Sequence, residues 1–556
     1  MRARDLCSST RTADKRAVFD HPSGVRWSDR RRGGYVRNSI GVWFRQPLLT
    51  DVPVRNTLMA RMLLLGAWLA VTLWMTLNHV PWRDEVRAWS LMLMGGDSWS
   101  GMFRAVHGEG HPYLWYILLR AGHLLFGVRE VLPGLGFLVG AAAAALLALK
   151  APYRIGIVAV LLFSLHLGFD FSVVSRNYGI TALVLFAIAI SYERVKEGPL
   201  FGCLLFLLCN TNAPSVFLAG ALLLYRMVEV AAGQPPLRSR EMVMLVVNGA
   251  LLLLGTLVCF LAIYPPVNDA AAVVNRVPLT VATALLSIAD AGRSFGALGF
   301  HTMPQAANVF TLLSLAVFLR SRPAIIAAVA AFVTLKLFFF FVFPAAYRHA
   351  SLFLVFLVAL LWIEGNKRPH QQRSEEAHGS LLALASGWAF ALLLAIQSVL
   401  YFKGPLAATV EGRPFSNAAE LAAVMDRPEY RGAPLIIDPD ALGESVVYHT
   451  NKPFWLLRQG RFGTITPFSI KGNKDLSLDD MLLTARRLHA ATGRPVVIAL
   501  QRDIATTLPG RYDVMYADYT TYTRQNIARF QSDTRPIASL RTAFGDERYD
   551  VYVYPR

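Results

Sequence analysis

Side chains that could do chemistry are concentrated in one stretch of the chain, from His79 to Tyr116. The stretch holds two adjacent carboxylates, Asp84 and Glu85, and a Gly-His-Pro turn centred on His111. It follows the first long apolar run, and carboxylates or a histidine at a membrane surface are costly to place there without a role. One carboxylate could accept a proton from a hydroxyl group, while the other could orient that hydroxyl or bind a divalent cation.

The same residues also admit structural interpretations. Asp84 and Glu85 could simply begin a solvated helix, because the positive end of the helix dipole favours carboxylates. On a helix they would point about 100° apart, so they need not act together on one atom. His111 could be an interfacial histidine that faces water. Taken one at a time, these residues do not distinguish the catalytic interpretation from the structural one.

Two basic motifs later in the chain are candidates for binding an anion. Arg176 and Tyr178 flank an asparagine, and Arg348 and His349 follow Tyr347 after a run of phenylalanines. Arginine suits phosphate because its planar fork can donate two parallel hydrogen bonds. The alternative for Arg176 is a snorkelling side chain at a helix end.

A pair of asparagines interrupts an apolar run just before a proline. Asn210 and Asn212 could hydrogen-bond a polar substrate, as could Tyr347. Capping of the following helix by Asn212 is the alternative, because asparagine is among the preferred N-cap residues.

The composition is that of a membrane protein. The 556 residues are 54% hydrophobic and 17% charged, and the mean hydropathy is +0.41, which indicates a polytopic membrane protein. The formal charge of +18 resides in an N-terminal arm and in short loops, as in the inside-facing segments of membrane proteins, and this argues against nucleic-acid binding. No cysteine falls after residue 401, so no disulfide framework is implied there.

Apolar runs predict about eleven transmembrane helices, since a helix needs about 20 residues to cross the hydrocarbon core. The predicted spans are 62–79, 131–149, 155–173, 178–192, 199–209, 214–230, 242–264, 305–320, 324–343, 347–363 and 380–400.

The distribution of lysine and arginine orients these spans. If 113–127 does not cross, the basic loops all fall on one side, as the positive-inside rule requires. We therefore predict that 113–127 is re-entrant or interfacial, and that the helix around Asp84 is a second interfacial helix of the first outer loop. The N-terminus is then cytoplasmic, and all the candidate site residues lie at the outer face.

The remaining segments divide the chain into three parts. Residues 1–58 are predicted to be a disordered basic cytoplasmic arm, or to precede a true start at Met59 or Met62. Residues 59–400 form the transmembrane domain, in which the loop 265–304 is interpreted as a mobile lid. Residues 401–556 alternate helix and strand signals, which predicts an extracytoplasmic α/β domain with a largely parallel sheet.

The order of these motifs resembles the GT-C superfamily of membrane glycosyltransferases. Within it, the chain resembles the bacterial branch that contains the protein O-mannosyltransferase-like and aminoarabinose-transferase-like enzymes. The motifs that carry the resemblance are Asp84-Glu85 after the first span, the His111 turn, Ser-Arg176-Asn-Tyr178, and Tyr347-Arg348-His349. The resemblance covers roughly residues 60 to 400.

The resemblance implies a polyprenyl-phosphate-linked sugar donor and an envelope acceptor at the outer face of a bacterial inner membrane. It assigns a catalytic role to Asp84, with Glu85 and His111 assisting. The predicted phosphate-binding residues are Arg176, Tyr178, Arg348 and His349, and the predicted substrate-binding residues are Asn210, Asn212 and Tyr347. A divalent cation held by Asp84 and Glu85 is an option, and no other cofactor is indicated. The alternatives are a polyprenyl-linked lipid transporter or flippase, and a non-catalytic subunit of an envelope polysaccharide complex.

Overall fold

A computed structural model describes residues 48–49, 54–96, 98–233, 239–274, 276–299, 302–367 and 381–556. Most of the predicted basic arm, residues 1–58, lies outside these ranges. So do the basic residues predicted between the last two spans, 368–380.

The membrane domain is a bundle of α-helices. In chain order they are α1 (Leu58–Leu77), α2 (Arg83–Met94), α3 (Trp99–Val106), α4 (Leu114–Phe126), α5 (Val131–Lys150), α6 (Ile155–Leu162), α7 (Tyr178–Val195), α8 (Pro199–Cys209), α9 (Ser215–Ala231), α10 (Ser239–Ile263), α11 (Ala270–Val274), α12 (Val281–Ala289), α13 (Pro304–Leu315), α14 (Arg322–Phe341), α15 (Tyr347–Lys367) and α16 (Leu381–Tyr401).

Seven helices in the described ranges are long and apolar enough to cross a membrane, namely α1, α5, α7, α10, α14, α15 and a segment from Leu384 to Val410. The prediction of a polytopic helical membrane protein is confirmed. The predicted span 155–173 is divided in the structure, because α6 ends at Leu162 and a π-helix follows from His166 to Asp170. Single π-turns inside helices are rare and often lie at functional sites.

Helix α15 forms the centre of the bundle. It is apolar on all sides, and its residues from Ala350 to Gly365 are buried, as expected for a helix without a polar face. It packs against α7 and α14. The first turns of α7 and α15 therefore bring Tyr178 and His349 together near the axis of the bundle.

The first outer loop contains three short helices, α2, α3 and α4, where two were predicted. Helix α4 has 13 residues, so at 1.5 Å per residue it is about 20 Å long and too short to cross a core of about 30 Å. It ends at Gly127, which has a φ of +68°, a left-handed conformation that glycine adopts without strain.

The C-terminal domain is an α/β domain, as predicted. Its strands are β1 (Leu435–Asp438), β2 (Phe454–Leu456), β3 (Arg461–Gly463), β4 (Asp475–Ser477), β5 (Val496–Leu500), β6 (Gly510–Met515), β7 (Asp518–Tyr522), β8 (Arg535–Leu540) and β9 (Tyr549–Tyr554). Its helices are α17 (Ala407–Val410), α18 (Ala418–Met425), α19 (Glu444–Thr450), α20 (Leu478–Thr492) and α21 (Arg524–Asp533).

Two sheets, in the orders β3-β2-β1-β5-β9-β8 and β4-β7-β6, make up the domain. The larger sheet is mixed and not largely parallel, because β9 is antiparallel to both β5 and β8 and β3 is antiparallel to β2. Its central strand β5 is buried along its whole length.

The loop predicted to be a lid is attached to the C-terminal domain. The backbone N–H of Ala270 donates to Phe468 O (2.9 Å), and that of Ile470 donates to Asn268 O (3.0 Å). These bonds pair the loop with residues 468–470, so the loop forms part of the contact between the domains.

Candidate functional site

Asp84 lies in the first turn of α2. Among the residues that the structure describes, none donates a hydrogen bond to its carboxylate. Its backbone carbonyl, by contrast, accepts a hydrogen bond from Arg176 Nη1. Arg176 therefore holds the start of the helix through a backbone carbonyl, and the Asp84 carboxylate remains available to interact with a ligand.

Glu85 has the opposite environment, although it is the next residue. It is fully buried, and its Oε2 accepts from the Trp82 backbone N–H (2.8 Å) and contacts His79 Nε2 (2.9 Å). Its Oε1 accepts from the Ser175 backbone N–H (2.6 Å). The carboxylate thus joins the end of α1, the start of α2 and the segment that carries Arg176, which indicates a positioning role.

Replacing Glu85 with glutamine tests that role. A backbone N–H faces each oxygen of Glu85, so the amide N–H of a glutamine would meet a donor in either orientation. We therefore expect a lower melting temperature and a loss of about 1–3 kcal/mol of stability. The activity of the site should fall in parallel. Thermal unfolding in detergent measures the first effect, with exposed Glu429→Gln as the matched control. Full stability combined with complete loss of activity would instead place Glu85 on the substrate.

His111 is held by the same arginine that contacts Asp84. Its Nε2 lies 2.6 Å from Arg176 Nη2, and since a guanidinium only donates, Nε2 accepts and the ring proton sits on Nδ1. Burial, and then the charges of Arg176 and Arg348, lower the pKa of His111 well below its usual value. His111 is therefore neutral at physiological pH.

Tyr178 and His349 form a second directional pair. The backbone N–H of Ala346 donates to His349 Nδ1 (3.1 Å), so Nε2 carries the proton and donates to the Tyr178 hydroxyl oxygen (2.9 Å). The hydroxyl hydrogen of Tyr178 is then left to donate to a ligand.

Arg348 is positioned without using its hydrogen-bond donors. Its guanidinium stacks over the Trp82 ring at 4.7 Å, and its Nε lies 3.7 Å from Asp170 Oδ1, which is too far for a hydrogen bond. Among the described residues, none accepts a hydrogen bond from it. A stacked guanidinium keeps its in-plane N–H groups for an anion.

These arginines act electrostatically on Asp84. Burial alone would raise the pKa of Asp84, but the charges of Arg176, Arg83 and Arg348 outweigh it and lower that pKa below its usual value. The structure thus brings together six of the predicted site residues: Asp84, His111, Arg176, Tyr178, Arg348 and His349.

Three other predicted residues have partners inside the protein. Asn210 Nδ2 donates to Phe206 O within α8 (2.9 Å) and to Gly255 O of α10 (3.3 Å), and Asn212 bonds to Asn177 (2.8 Å) and Thr181 (3.1 Å). Tyr347 donates to Gln397 Oε1 (2.6 Å). Their substrate-binding role stays a prediction, and their bonds show that they join neighbouring helices.

The residues present do not fit a divalent cation. In the described ranges, no group of three or more His, Cys, Asp or Glu side chains could hold a metal ion. Glu85 uses both oxygens for protein donors, and Asp84 is surrounded by arginines. We therefore derive no catalytic step through a metal.

Sequence analysis missed a set of ion pairs that connects α2 to the C-terminal domain. Arg87 pairs with Glu109 (2.8 Å) and Glu444 (2.7 Å). Arg83 pairs with Asp546 (2.8 Å), and its backbone N–H donates to Glu547 (2.9 Å). The spacing of the two arginines, four residues apart on one helix face, was the available signal, but their partners in the C-terminal domain are hundreds of residues away.

The buried carboxylates in this contact make its stability depend on pH. Burial raises the pKa of Glu444 to about 7, although Arg87 opposes it, and burial likewise raises the pKa of Glu547 to about 7 against Arg83. A carboxyl group whose pKa is raised in the folded state makes its full contribution to stability below its usual pKa of 4.5. That contribution is lost as the pH rises towards the folded-state pKa of about 7.

We expect the melting temperature of the full chain to fall between pH 4.5 and about 7. The Glu444→Gln, Glu547→Gln double variant should show a flatter pH profile over that interval. Thermal unfolding at several pH values measures this, with exposed Glu420→Gln as the control. An unchanged slope in the double variant would contradict the assignment.

Comparison with known proteins finds a likeness among solved structures. No protein-family model and no curated protein matches the chain. Two crystal structures of ArnT from Cupriavidus metallidurans, one bound to undecaprenyl phosphate and one in the apo state, are similar with TM-scores of 0.43 and 0.44. Identity is 12%, and the match covers 88% of this chain and 97% of ArnT.

At TM-scores below 0.5, the functional assignment rests on this chain's own residues.

Proposed function

We propose that this chain is a membrane glycosyltransferase that moves a sugar from a polyprenyl-phosphate-linked donor to a hydroxyl group of an envelope glycolipid, polysaccharide or protein. The observation that carries the proposal is one juxtaposition. Asp84, whose carboxylate receives no hydrogen bond from the described residues, has its backbone carbonyl on Arg176 and lies two residues after Trp82, over which Arg348 stacks. The charges of both arginines act on its carboxylate. Such a transfer needs a proton acceptor for the nucleophile and positive charge for the leaving group.

The proposed reaction is a single displacement at the anomeric carbon. The acceptor hydroxyl gives its proton to Asp84 while its oxygen forms the new bond to the sugar. The bond between the sugar and the phosphate oxygen breaks, and its electron pair stays on the polyprenyl phosphate. Arg348 and Arg176 stabilise that charge, and Tyr178 donates a hydrogen bond to it. Inversion at the sugar carbon follows from a single displacement.

Donor binding would also prepare the base. In the free protein, Arg176 and Arg348 lower the pKa of Asp84, which makes it a weak base. A phosphate bound to the same arginines offsets their charge and so raises the pKa of Asp84. The carboxylate then becomes the stronger base once the donor is in place.

The proposed location follows from the charge distribution of the loops. The chain would sit in a bacterial inner membrane with its N-terminus in the cytoplasm and its C-terminal domain in the periplasm. The site would then open at the outer leaflet, where both the lipid-linked donor and the envelope acceptor are accessible.

Reconstitution tests the proposal directly. Proteoliposomes containing the full chain would receive a panel of radiolabelled polyprenyl-phosphate sugars together with envelope extract, and empty liposomes would serve as the control. Movement of label from one donor to a component of the extract is the expected result. Binding or translocation of the labelled lipid, with no transfer to any component, would favour the transporter and overturn the transferase.

A further inference from the structure

A second wall of the site, distinct from the phosphate-binding residues, comes from the C-terminal domain. The ring of Phe468 lies under the Arg87 guanidinium at 4.6 Å, and the ring of Tyr516 packs edge-on against Phe468 with 5.3 Å between centroids. Burial raises the pKa of Tyr516, and the nearby carboxylate of Asp84 raises it further. Arg87 lies three residues after Asp84 on α2, so the Phe468–Tyr516 pair packs against the helix that carries the proposed base.

The backbone presents Tyr516 at an energetic cost. Tyr516 and Ala517 have φ values of +47° and +57°, and they form the two-residue turn between Met515 and Asp518, which are paired in the β6–β7 hairpin. Such turns strongly favour glycine and asparagine. Strained non-glycine residues persist where the surroundings hold them, and they cluster at ligand-binding sites.

A second tyrosine reaches the same space from the membrane domain. The Tyr116 side chain is buried and lies within electrostatic reach of Asp84, Glu109 and Arg176. Across the described part of the chain, no residue hydrogen-bonds to its hydroxyl or to that of Tyr516. Helix α4, which carries Tyr116, packs against α2, so both phenols belong to elements that contact the helix of Asp84.

The two walls differ in charge. On the wall nearest the C-terminal domain, Arg83 and Arg87 are each paired with carboxylates. On the other wall, Arg348 lies 3.7 Å from Asp170, and Arg176 contacts a backbone carbonyl, a histidine and the hydroxyl of Tyr178. The latter wall therefore has more positive charge to offer an anion.

We propose that the acceptor is an uncharged glycan whose sugar ring packs on Phe468 and Tyr516 and presents a hydroxyl group to Asp84. This inference rests on the proposed function. Aromatic side chains suit the C–H face of a sugar, and phenol hydroxyls at the ring edge suit its hydroxyl groups. In the same place, a phosphorylated glycan would meet Arg83 and Arg87 only in ion pairs with carboxylates. Because these arginines are already neutralised, the carboxylates would repel the phosphate.

The experiment compares two forms of one acceptor. Envelope glycolipid that accepts label in proteoliposomes would be assayed before and after phosphatase treatment, with the same donor. We expect the dephosphorylated form to have a kcat/KM at least as high as the phosphorylated form, and higher by about tenfold if the phosphate lies on the reacting sugar.

Variants of the hairpin separate recognition from folding. Asparagine tolerates the left-handed conformation, so Tyr516→Asn should keep or raise the melting temperature. It should also raise the acceptor KM about tenfold, with kcat and donor binding nearly unchanged. Tyr512→Phe is the control, because the Tyr512 hydroxyl bonds to Leu508 O at the other end of the hairpin.

Two results would overturn the inference while leaving the transferase intact. One is higher kcat/KM with the phosphorylated acceptor, and the other is an acceptor KM that Tyr516→Asn does not change. Absence of transfer by the wild-type chain to any acceptor would instead overturn the proposed function itself.

Discussion

Replacement of Asp84 by asparagine is expected to lower the turnover of sugar transfer by about 10²- to 10⁴-fold, the range for loss of a general base. Asparagine keeps the size of the side chain and cannot accept the proton. Donor binding should be preserved or tightened, because Arg176 and Arg348 lose a competing anion. A fall in turnover without weaker donor binding separates proton transfer from lipid binding.

Single-turnover assays in proteoliposomes measure the chemical step, and binding of polyprenyl phosphate in detergent measures the donor site. Asp479→Asn is the matched control, since Asp479 is an aspartate of the C-terminal domain that pairs with Arg529 at the surface. A folded Asp84→Asn protein that transfers at the wild-type rate would remove Asp84 from the mechanism.

The second large effect is expected at Arg348. Arg348→Ala should reduce turnover by about 10²- to 10³-fold, as for removal of one group that stabilises developing charge, and it should weaken binding of polyprenyl phosphate. Arg348→Lys should recover only part of this loss. Lysine keeps the charge but lacks the planar fork and the stacking contact with Trp82.

The control for this series is Arg413→Ala, because Arg413 is largely exposed and pairs with Glu411. Polyprenyl phosphate binding and transfer would be measured on the same preparations. If Arg348→Ala kept wild-type donor binding and turnover, the phosphate would have to be held elsewhere, and the arginine would have only a packing role against Trp82.

Much of the site could be predicted because its residues stand at the ends of apolar runs. The alternation of basic loops placed Asp84, His111, Arg176 and Arg348 on one side of the membrane, and the structure brings them together. To predict that they lie at one face of the membrane, it is enough to count the crossings and apply the positive-inside rule. The short length of α4 was equally predictable from residues 113–127.

The division of roles within that set could not be predicted. Asp84 and Glu85 are adjacent and chemically similar, yet a rotation of about 100° along the helix buries one carboxylate among backbone donors and leaves the other available. Similarly, the partners of Arg83, Arg87 and Phe468 come from distant parts of the chain. No periodicity or motif specifies which surface of the C-terminal domain covers α2.

The ring of Trp82 contacts two guanidiniums, that of Arg83 at 4.6 Å and that of Arg348 at 4.7 Å, while its indole N–H donates to Asp546 (3.0 Å). One tryptophan thus connects Arg348, the proposed phosphate-binding arginine, to a loop of the C-terminal domain. The boundary between the domains is consequently a poor place to recombine chains. A C-terminal domain taken from a relative would have to bring a matching acidic loop, so the two parts are constrained to change together.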